Sequence, residues 1–381
     1  MADESLHMNT KVVTKPFLLL AALAVVAVVL IIYRFMAGLG AVTNLSDGYP
    51  WGLWITFDDL VGTAMGCGGF AMAILVYVLN RWEYHPVVRS AILTSVFGYT
   101  LASLALFIDI GRYWNGYKIF LPWQVNFSSV LVQVALCVVA YVVVLWIELL
   151  PTILERYPHK VKAVETRRRL TRWLPAIAAV GIMLPTLHQS SLGTLMVIAG
   201  YKLSPLWQTS FLPLFFLLSA VAMGFAATVF ESILSSVAFK RPFETSMLSK
   251  LARVMAWVVA VYLVLRCADL LFRDAPVFTS GFLSVMLILE NLFYLVPVLI
   301  VVSPSLTSDL RFLFLASCSL LLAGSLYRFN GFLIGFDPGA GWHYFPAVPE
   351  ILITLGLVAI ELMAYLYFVK RFSVLPKAGH A

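Results

Sequence analysis

The stretch "FLLLAALAVVAVVLIIYRFMA", residues 17–37, is an apolar run that carries a single charged residue, Arg34. As a helix it is long enough to cross a hydrocarbon core of about 30 Å. It exceeds the roughly 7–15 apolar residues of a signal-peptide core, so we expect an uncleaved first membrane helix. The whole chain shares this character, since 61% of its 381 residues are hydrophobic and only 12% are charged. The composition therefore predicts an all-α integral membrane protein.

Clusters of charged and turn-forming residues divide the chain into ten apolar runs. We predict ten transmembrane helices near residues 17–37, 53–79, 90–110, 126–150, 173–190, 209–236, 251–272, 279–302, 311–330 and 348–369. Short connections favour antiparallel neighbours, which predicts a four-helix bundle within residues 53–190. A comparable scatter of polar groups in residues 209–330 suggests a second bundle on the same plan. The chain 1–381 would then be a single membrane domain.

Lysine and arginine are distributed unevenly between the two sets of loops. Eighteen of the 26 lie on the side of the N-terminus, against six in the other loops and the adjoining helix ends. The positive-inside rule therefore predicts that both termini are cytoplasmic and that the odd-numbered loops face outward. The basic run "RRRLTR", residues 167–172, is then a cytoplasmic anchor at the head of a helix and not a nucleic-acid patch.

Ionisable and amide side chains inside apolar runs are costly, which makes each of them a functional candidate. The predicted directions of the helices bring Asp58, Asp109, Arg112, Gln133 and His188 towards the outer ends of four consecutive spans. Together they would offer hydrogen-bond donors and acceptors at one depth. A quinone head group suits such a site, because its carbonyl oxygens accept hydrogen bonds and its reduction consumes protons.

Structural explanations remain open for the same residues. Asp109 and Arg112 are three residues apart, so they could simply pair and cap the end of a helix. His188 could bond carbonyl groups that are freed by Pro185. The later half of the chain carries its own intramembrane set of ionisable residues: Glu231, Arg266, Asp269, Glu290, Arg328, Glu350 and Glu361.

Ligands for a metal or haem are scarce. Each of the four cysteines stands alone in an apolar run, and the sequence has no CxxC motif. Of the six histidines, only His188 lies within a predicted span. We therefore expect no metal site, no iron–sulfur cluster and no bis-histidine haem in this chain.

Several long motifs carry a family resemblance. They are "DGYPWGLWITFDDLVG" (47–62), "YVLNRWEYHPVVR" (77–89), "DIGRYWN" (109–115), "LPTLHQSSLGTLMVIAGYKLSPLWQ" (184–208), "VLRCADLLFRD" (264–274) and "FDPGAGWHYFP" (336–346). Together they resemble the HybB-type membrane subunit of periplasm-facing [NiFe] hydrogenases, within the wider polysulfide-reductase or NrfD-like family. The similarity covers nearly the whole chain.

The resemblance implies ten helices in two four-helix bundles, which leaves the helices 17–37 and 348–369 peripheral. It implies no haem, a quinone site near the outer face and a bacterial inner-membrane location. It also implies a periplasmic ferredoxin-like iron–sulfur subunit, fed by a catalytic hydrogenase or multihaem cytochrome c subunit, and other membrane subunits. By motif match, Asp58, Asp109, Arg112 and His188 inherit the quinone site, with Asp109 and His188 in the catalytic role.

The fourth helix departs from the family pattern. Hydrogenase-type members carry a motif like "NVNSVLFE", whose final glutamate is thought to handle protons, whereas this chain reads "NFSSVLVQ" at residues 126–133. Gln133 can form hydrogen bonds but cannot take up a proton. Quinone binding survives this change more easily than proton transfer does, so a related transmembrane redox complex is favoured over a hydrogenase.

The sequence thus predicts a quinone-interacting subunit of a respiratory oxidoreductase, which exchanges electrons between a periplasmic partner and the menaquinone pool. The alternative is a membrane anchor and electron-relay subunit whose quinone site is degraded or not coupled to protons. A third hypothesis, an ion or solute transporter, lacks the paired broken helices that such folds show in matching halves.

Overall fold

The computed structural model describes residues 11–375, so the first ten and last six residues of the predicted domain 1–381 lie outside the described part. Within it, ten helices are long and apolar enough to cross a membrane. They are α1 (Lys15–Ala37), α2 (Trp54–Val78), α3 (Val88–Asp109), α4 (Val130–Leu154), α5 (Val161–Ala199), α6 (Leu212–Ala238), α7 (Thr245–Phe272), α8 (Phe282–Val302), α9 (Leu310–Phe329) and α10 (Val348–Arg371). The described residues contain no β-strand, and the predicted all-α membrane fold is confirmed.

The helix boundaries lie within four residues of the predicted spans except at the start of α7, which begins six residues earlier than predicted, and at α5. The prediction of 173–190 was too short at both ends, because the helix runs from Val161 to Ala199. Its N-terminal part includes the basic run 167–172. Pro175 and Pro185 lie inside it without ending it, as proline can in membrane helices. The polar sequence after Pro185 is therefore helical and not the start of a loop.

Helix α6 is the most buried of the ten. It packs against α2, α5, α7 and α9. Its closest approach to α2 depends on glycine, because a Cβ atom on Gly224 would lie 2.6 Å from the carbonyl oxygen of Cys67. A Cβ atom on Gly69 of α2 would lie 2.8 Å from Oγ of Ser95 on α3. The glycines of α2 therefore serve close helix packing.

Helix α1 has its main contacts with α10, and α10 in turn contacts α2 and α3. The ends of these four helices meet at one face of the molecule. We call this the distal face, and define it by the loops that join α1 to α2, α3 to α4, α5 to α6, α7 to α8 and α9 to α10.

Two distal loops, residues 38–53 and 335–347, are irregular but well connected. The indole nitrogen of Trp51 donates to the carbonyl of Phe332 at 2.8 Å, and the backbone N–H of Leu53 donates to the Tyr344 hydroxyl at 2.7 Å. The Tyr49 hydroxyl donates to the carbonyl of Phe336 at 3.1 Å. These bonds hold the start of α2 against the segment before α10.

Candidate functional site

Asp58 lies about one turn inside the distal end of α2 and is 8% exposed. Its Oδ2 accepts a hydrogen bond of 2.7 Å from the Thr354 hydroxyl on α10. Asp59 follows it and is 1% exposed, and its Oδ1 has no hydrogen-bond partner within residues 11–375. The two adjacent carboxyl groups interact electrostatically with each other, and Asp59 also interacts with Asp109 of α3.

Asp109 is the last residue of α3 and is half-buried. In the part of the chain that the structure describes, its carboxyl group makes no hydrogen bond and no ion pair within 4.0 Å. Arg112, the partner that the sequence suggested, is not among the charged groups that act on Asp109. Asp109 interacts instead with Arg34 of α1 and with Glu350 of α10.

Arg34 is 1% exposed, near the distal end of α1. Its Nη2 donates to the carbonyl of Ile110, one residue beyond the end of α3, at 2.5 Å. The guanidinium also lies over the rings of Phe35 and Tyr113, at 4.6 and 5.5 Å from their centroids. The sequence analysis assigned this arginine no role. Its position, as the only charged residue near the end of an apolar run, could have identified it as a functional candidate.

Arg112 does not pair with Asp109, so the explanation as an i, i+3 capping pair is wrong for the described structure. Such pairs form between neighbours on a continuous helix, and α3 ends at Asp109. The backbone of Arg112 is non-helical, and its side chain is exposed at the distal face.

Gln133 lies in the first turn of α4 and is also exposed. Its Nε2 donates at 3.3 Å to the carbonyl of Phe127 in the preceding loop. The structure therefore shows Arg112 and Gln133 at the surface of the distal end and does not bring them into contact with Asp58, Asp109 or His188.

His188 is fully buried, but it is not at the distal end of its helix, as the sequence suggested. The helix continues to Ala199, roughly 16 Å farther at 1.5 Å per residue. The error has a physical cause, since the serines and glycine after His188 read as a loop but pack inside the membrane helix. His188 therefore belongs to a deeper layer than Asp109.

The deeper layer is a hydrogen-bonded group that we call the central network: Thr63, Cys67, Tyr99, His188, Gln189 and Arg328. The Nδ1 atom of His188 lies 3.5 Å from both the Tyr99 hydroxyl and Nε2 of Gln189, and its Nε2 has no partner in the described chain. Gln189 also donates to the Thr63 hydroxyl at 3.1 Å. His188 is thus held on one side and unpartnered on the other.

Arg328 of α9 completes the central network and is fully buried. Its Nε donates to the carbonyl of Leu60 at 2.9 Å, and its Nη2 lies 3.4 Å from Oε1 of Gln189. An arginine held by neutral oxygen atoms at this depth satisfies helix carbonyls and links α2, α5 and α9. From the sequence, Arg328 was one of the ionisable residues that are costly to bury in a membrane, but its partners could not be predicted.

Glu350, at the start of α10, links the two distal loops through hydrogen bonds to its carboxyl group. It accepts from the backbone N–H groups of Asn44 and Ala347, at 3.1 and 2.7 Å, and from the Tyr344 hydroxyl at 2.7 Å. Burial, followed by the neighbouring Glu350 carboxyl group, raises the pKa of Tyr344 above its usual value. The phenol therefore remains a hydrogen-bond donor at physiological pH. We call Asp58, Asp59, Asp109 and Glu350 the distal acidic group.

In the second half of the chain, the distal end of α7 carries another carboxyl group, Asp269. It accepts from the Thr209 hydroxyl at 2.6 Å, forms an ion pair with Arg273 at 2.8 Å and lies 3.5 Å from Arg266. Arg266 also donates to the carbonyl of Leu206 at 2.8 Å. Nearby, Glu290 accepts from the Trp207 indole at 3.0 Å and from the Asn330 amide at 2.7 Å.

These contacts allow two kinds of chemistry. The distal acidic group offers carboxyl oxygens that can exchange protons or bind the polar end of an apolar ligand. Within residues 11–375, Oδ1 of Asp59 has no hydrogen-bond partner, and Asp109 forms no ion pair within 4.0 Å. No group of three or more His, Cys, Asp or Glu side chains in residues 11–375 is arranged to hold a metal ion. The Asp269 carboxyl group, in contrast, is occupied by arginine and threonine.

Comparison with known proteins supports the resemblance that was read from the motifs. A profile of the polysulphide reductase NrfD family matches residues 41–335. Over 381 residues, 99% of this chain and 96% of the relative, the chain is 41% identical to the probable Ni/Fe-hydrogenase 2 b-type cytochrome subunit of Escherichia coli (strain K12).

Two further relatives belong to other redox complexes. The chain is 33% identical over 307 residues to the integral membrane subunit of menaquinone reductase from Nitratidesulfovibrio vulgaris, which covers 73% of this chain and 70% of that protein. It is 24% identical over 283 residues to a selenate reductase subunit of Mesobacillus selenatarsenatis, which covers 67% of this chain and 64% of that protein.

Proposed function

Because this chain belongs to the polysulphide reductase NrfD family, we propose that it is the quinone-interacting integral membrane subunit of a multi-subunit respiratory oxidoreductase. In this role it exchanges electrons between a periplasmic iron–sulfur or haem partner and the menaquinone pool. The relatives support the proposal, since one is a menaquinone reductase subunit and another a hydrogenase subunit by name.

The observation that carries the proposal is the unpartnered carboxyl group of Asp109 beside the buried cation Arg34. A quinone head group placed there receives hydrogen bonds at its carbonyl oxygens and exchanges protons with a carboxyl group. Asp58 and Asp59 lie on the next helix and extend the same acidic surface. These positions support a quinone site at the distal ends of α2 and α3.

We assign Asp109 and His188 the proton-exchanging roles, and Asp58, Arg112 and Gln133 roles in binding. The positions of these residues differ in the support that they lend to the assignments. Asp58 and Asp109 lie in one layer, Arg112 and Gln133 lie at its exposed edge, and His188 lies below it with Nε2 unpartnered. A head group at Asp109 would thus meet the arginine and the amide at the mouth of the site only.

We further propose that the distal face is periplasmic, that both termini are cytoplasmic and that the protein lies in a bacterial inner membrane. The distribution of positive charge supports this orientation. The helices of residues 53–190 and 209–330 would form two four-helix bundles, with α1 and α10 at the periphery. The mutual contacts of α6, α7, α8 and α9 support the second bundle.

Labelling of introduced cysteines tests the orientation. Ser204→Cys on the distal side should react with an impermeant reagent in intact cells, whereas Thr166→Cys should react only after permeabilisation. The unmodified chain, with its four native cysteines, is the background control. Labelling of Thr166→Cys from outside would reverse the orientation.

The proposed partners are a periplasmic ferredoxin-like iron–sulfur subunit, a catalytic hydrogenase or multihaem cytochrome c subunit, and other membrane subunits. The loop after α3 supports a docking role. It presents four aromatic side chains that are about 60% exposed or more: Trp114, Tyr117, Phe120 and Trp123. Large exposed aromatic residues of this kind are enriched in interfaces and at membrane surfaces.

The second candidate function is an electron-relay anchor without an active quinone site. The exposed amide of Gln133, where a glutamate stands in the hydrogenase-type motif, favours it. One experiment on the purified complex distinguishes the two functions. It measures the quinone that can be extracted from the complex and the electron transfer to added menaquinone. Bound quinone with turnover supports the quinone-reactive subunit. Electron transfer between partners with neither bound quinone nor quinone turnover supports the anchor.

A further inference from the structure

A cavity of about 370 Å³ lies between α10 and the central helices α2, α3 and α6, and Leu20 of α1 also lines it. Its walls are mainly carbon, supplied by residues such as Met65, Leu101 and Phe230. The size is within the range of small-molecule sites, roughly 300–1,000 Å³. The cavity begins at Asp58 in the distal acidic group and reaches Phe239 at the opposite end of α6.

Two polar contacts tie α10 to the central helices at the ends of this cavity. Thr354 donates to Asp58 of α2, and the Tyr365 hydroxyl donates to Glu231 of α6. Along α10, these two contacts are separated by roughly 16 Å at 1.5 Å per residue. Between them α10 stands away from α2 and α6, so the cavity is elongated along the helices.

The charges in the wall restrict the chemistry of an occupant. Asp58, Glu231 and Glu361 line the cavity, and no lysine or arginine is among its lining residues. The Glu361 carboxyl group has no hydrogen-bond or ion-pair partner within the described part of the chain, and its Oε1 would lie 3.8 Å from a Cβ atom on Gly98. A phosphate head group would meet three carboxyl groups and no cation, whereas an uncharged hydrocarbon chain fits the mainly carbon walls.

We propose that this cavity holds the polyisoprenoid chain of the membrane quinone. The inference rests on the proposed function and adds to it the route that the tail takes. Because Asp58 belongs both to the distal acidic group and to the cavity wall, a head group beside Asp58 and Asp109 has its chain directed into the cavity. The chain then runs between α10 and α6 towards Tyr365.

Gly62 offers a clean way to fill this space. It lines the cavity, and a Cβ atom added to it meets no atom closer than the Phe57 carbonyl oxygen at 3.7 Å. Gly62→Ala therefore adds a methyl group at ordinary contact distance, and Gly62→Leu is the larger counterpart that takes up more of the cavity. Ala22→Leu, on the exposed side of α1, is the matched control outside the cavity.

The test compares menaquinone that carries its natural chain with menadione, which has the same ring without the chain, in the reconstituted complex. For Gly62→Leu we expect the ratio of kcat/KM for the long-chain quinone to that for menadione to fall about tenfold, because the leucine displaces several buried CH₂ groups of the chain. Gly62→Ala should have a smaller effect, and Ala22→Leu should leave the ratio unchanged.

Other results overturn the inference in distinguishable ways. If Gly62→Leu lowers both rates equally, or neither, the cavity does not hold the chain, although quinone turnover by the wild type still supports the proposed function. If Gly62→Leu removes co-purified phospholipid but not quinone, the occupant is a lipid. If the wild-type complex turns over neither quinone, the proposed function itself fails.

Discussion

Asp109 and Asp269 occupy similar places in the two halves of the molecule, near the distal ends of α3 and α7. Each has an arginine three residues away in sequence. Asp269 is 7% exposed, and its carboxyl group is contacted by Thr209, by Arg266 of its own helix and by Arg273 just beyond the end of that helix. Asp109 makes no such contact within residues 11–375, and its nearest arginine in sequence points to solvent.

The difference comes from where each arginine lies relative to the end of its helix. Arg266 precedes Asp269 and both lie inside α7, so the two are neighbours on one helical face. Helix α3 ends at Asp109, which moves Arg112 away and leaves Arg34 of another helix as the nearby cation. An aspartate and an arginine three residues apart, in opposite order in the two halves, therefore yield a structural ion pair in one half and an available carboxyl group in the other.

The largest expected effect is on stability, and it concerns Asp269, whose carboxyl group is occupied by protein partners. Asp269→Asn removes the charge that compensates the buried Arg266, and loss of one partner of a buried pair typically costs about 3–5 kcal/mol. We expect a large fall in the yield and melting temperature of the detergent-purified complex. Asp109→Asn is the matched control, because it breaks no ion pair. Equal melting temperatures for the two variants would contradict the distinction drawn between the halves.

The next effect tests the cation beside Asp109. Arg34→Gln removes the charged donor to the carbonyl of Ile110, and a hydrogen bond that involves a charged group contributes roughly 1.5–3 kcal/mol. We also expect quinone turnover to fall about tenfold, the equivalent of ~1.4 kcal/mol, with partial recovery in Arg34→Lys. Melting curves and turnover of both variants check this. If Arg34→Lys is as inactive as Arg34→Gln, the charge of Arg34 is not what the site uses.

The smallest effect is expected at the exposed edge of the distal end. Arg112→Ala and Gln133→Ala remove side chains that lie at the surface, and such changes usually alter the free energy of unfolding by no more than about 0.5 kcal/mol. Turnover should fall less than in Arg34→Gln. A loss in either variant that matches Arg34→Gln would return Arg112 or Gln133 to the centre of the site.

The sequence predicted the fold well because lipid imposes a simple rule: each helix needs an apolar run of sufficient length. It also singled out Asp58, Asp109 and His188 as buried or half-buried groups at membrane depth. It failed where a helix boundary decided the outcome. The end of α3 at Asp109 separated Arg112 from its expected partner, and the continuation of α5 to Ala199 placed His188 deeper than expected.

The partners of the buried groups could not be read from the sequence at all. Arg34 and Ile110, Asp58 and Thr354, and Arg328 and Leu60 are separated by 76, 296 and 268 residues. Such pairs depend on which helices become neighbours, and hydrophobic patterning carries little information about that. Arg34 in particular was overlooked because α1 reads as an ordinary peripheral span.

The most direct test of the central claim is quinone turnover by the assembled Asp109→Asn complex, compared with wild type at equal complex content. If Asp109 is the available carboxyl group of the quinone site, turnover should fall by at least about tenfold while the melting temperature stays close to that of wild type. Wild-type turnover in an intact Asp109→Asn complex would contradict the account, because the unoccupied carboxyl group would then have no part in the reaction.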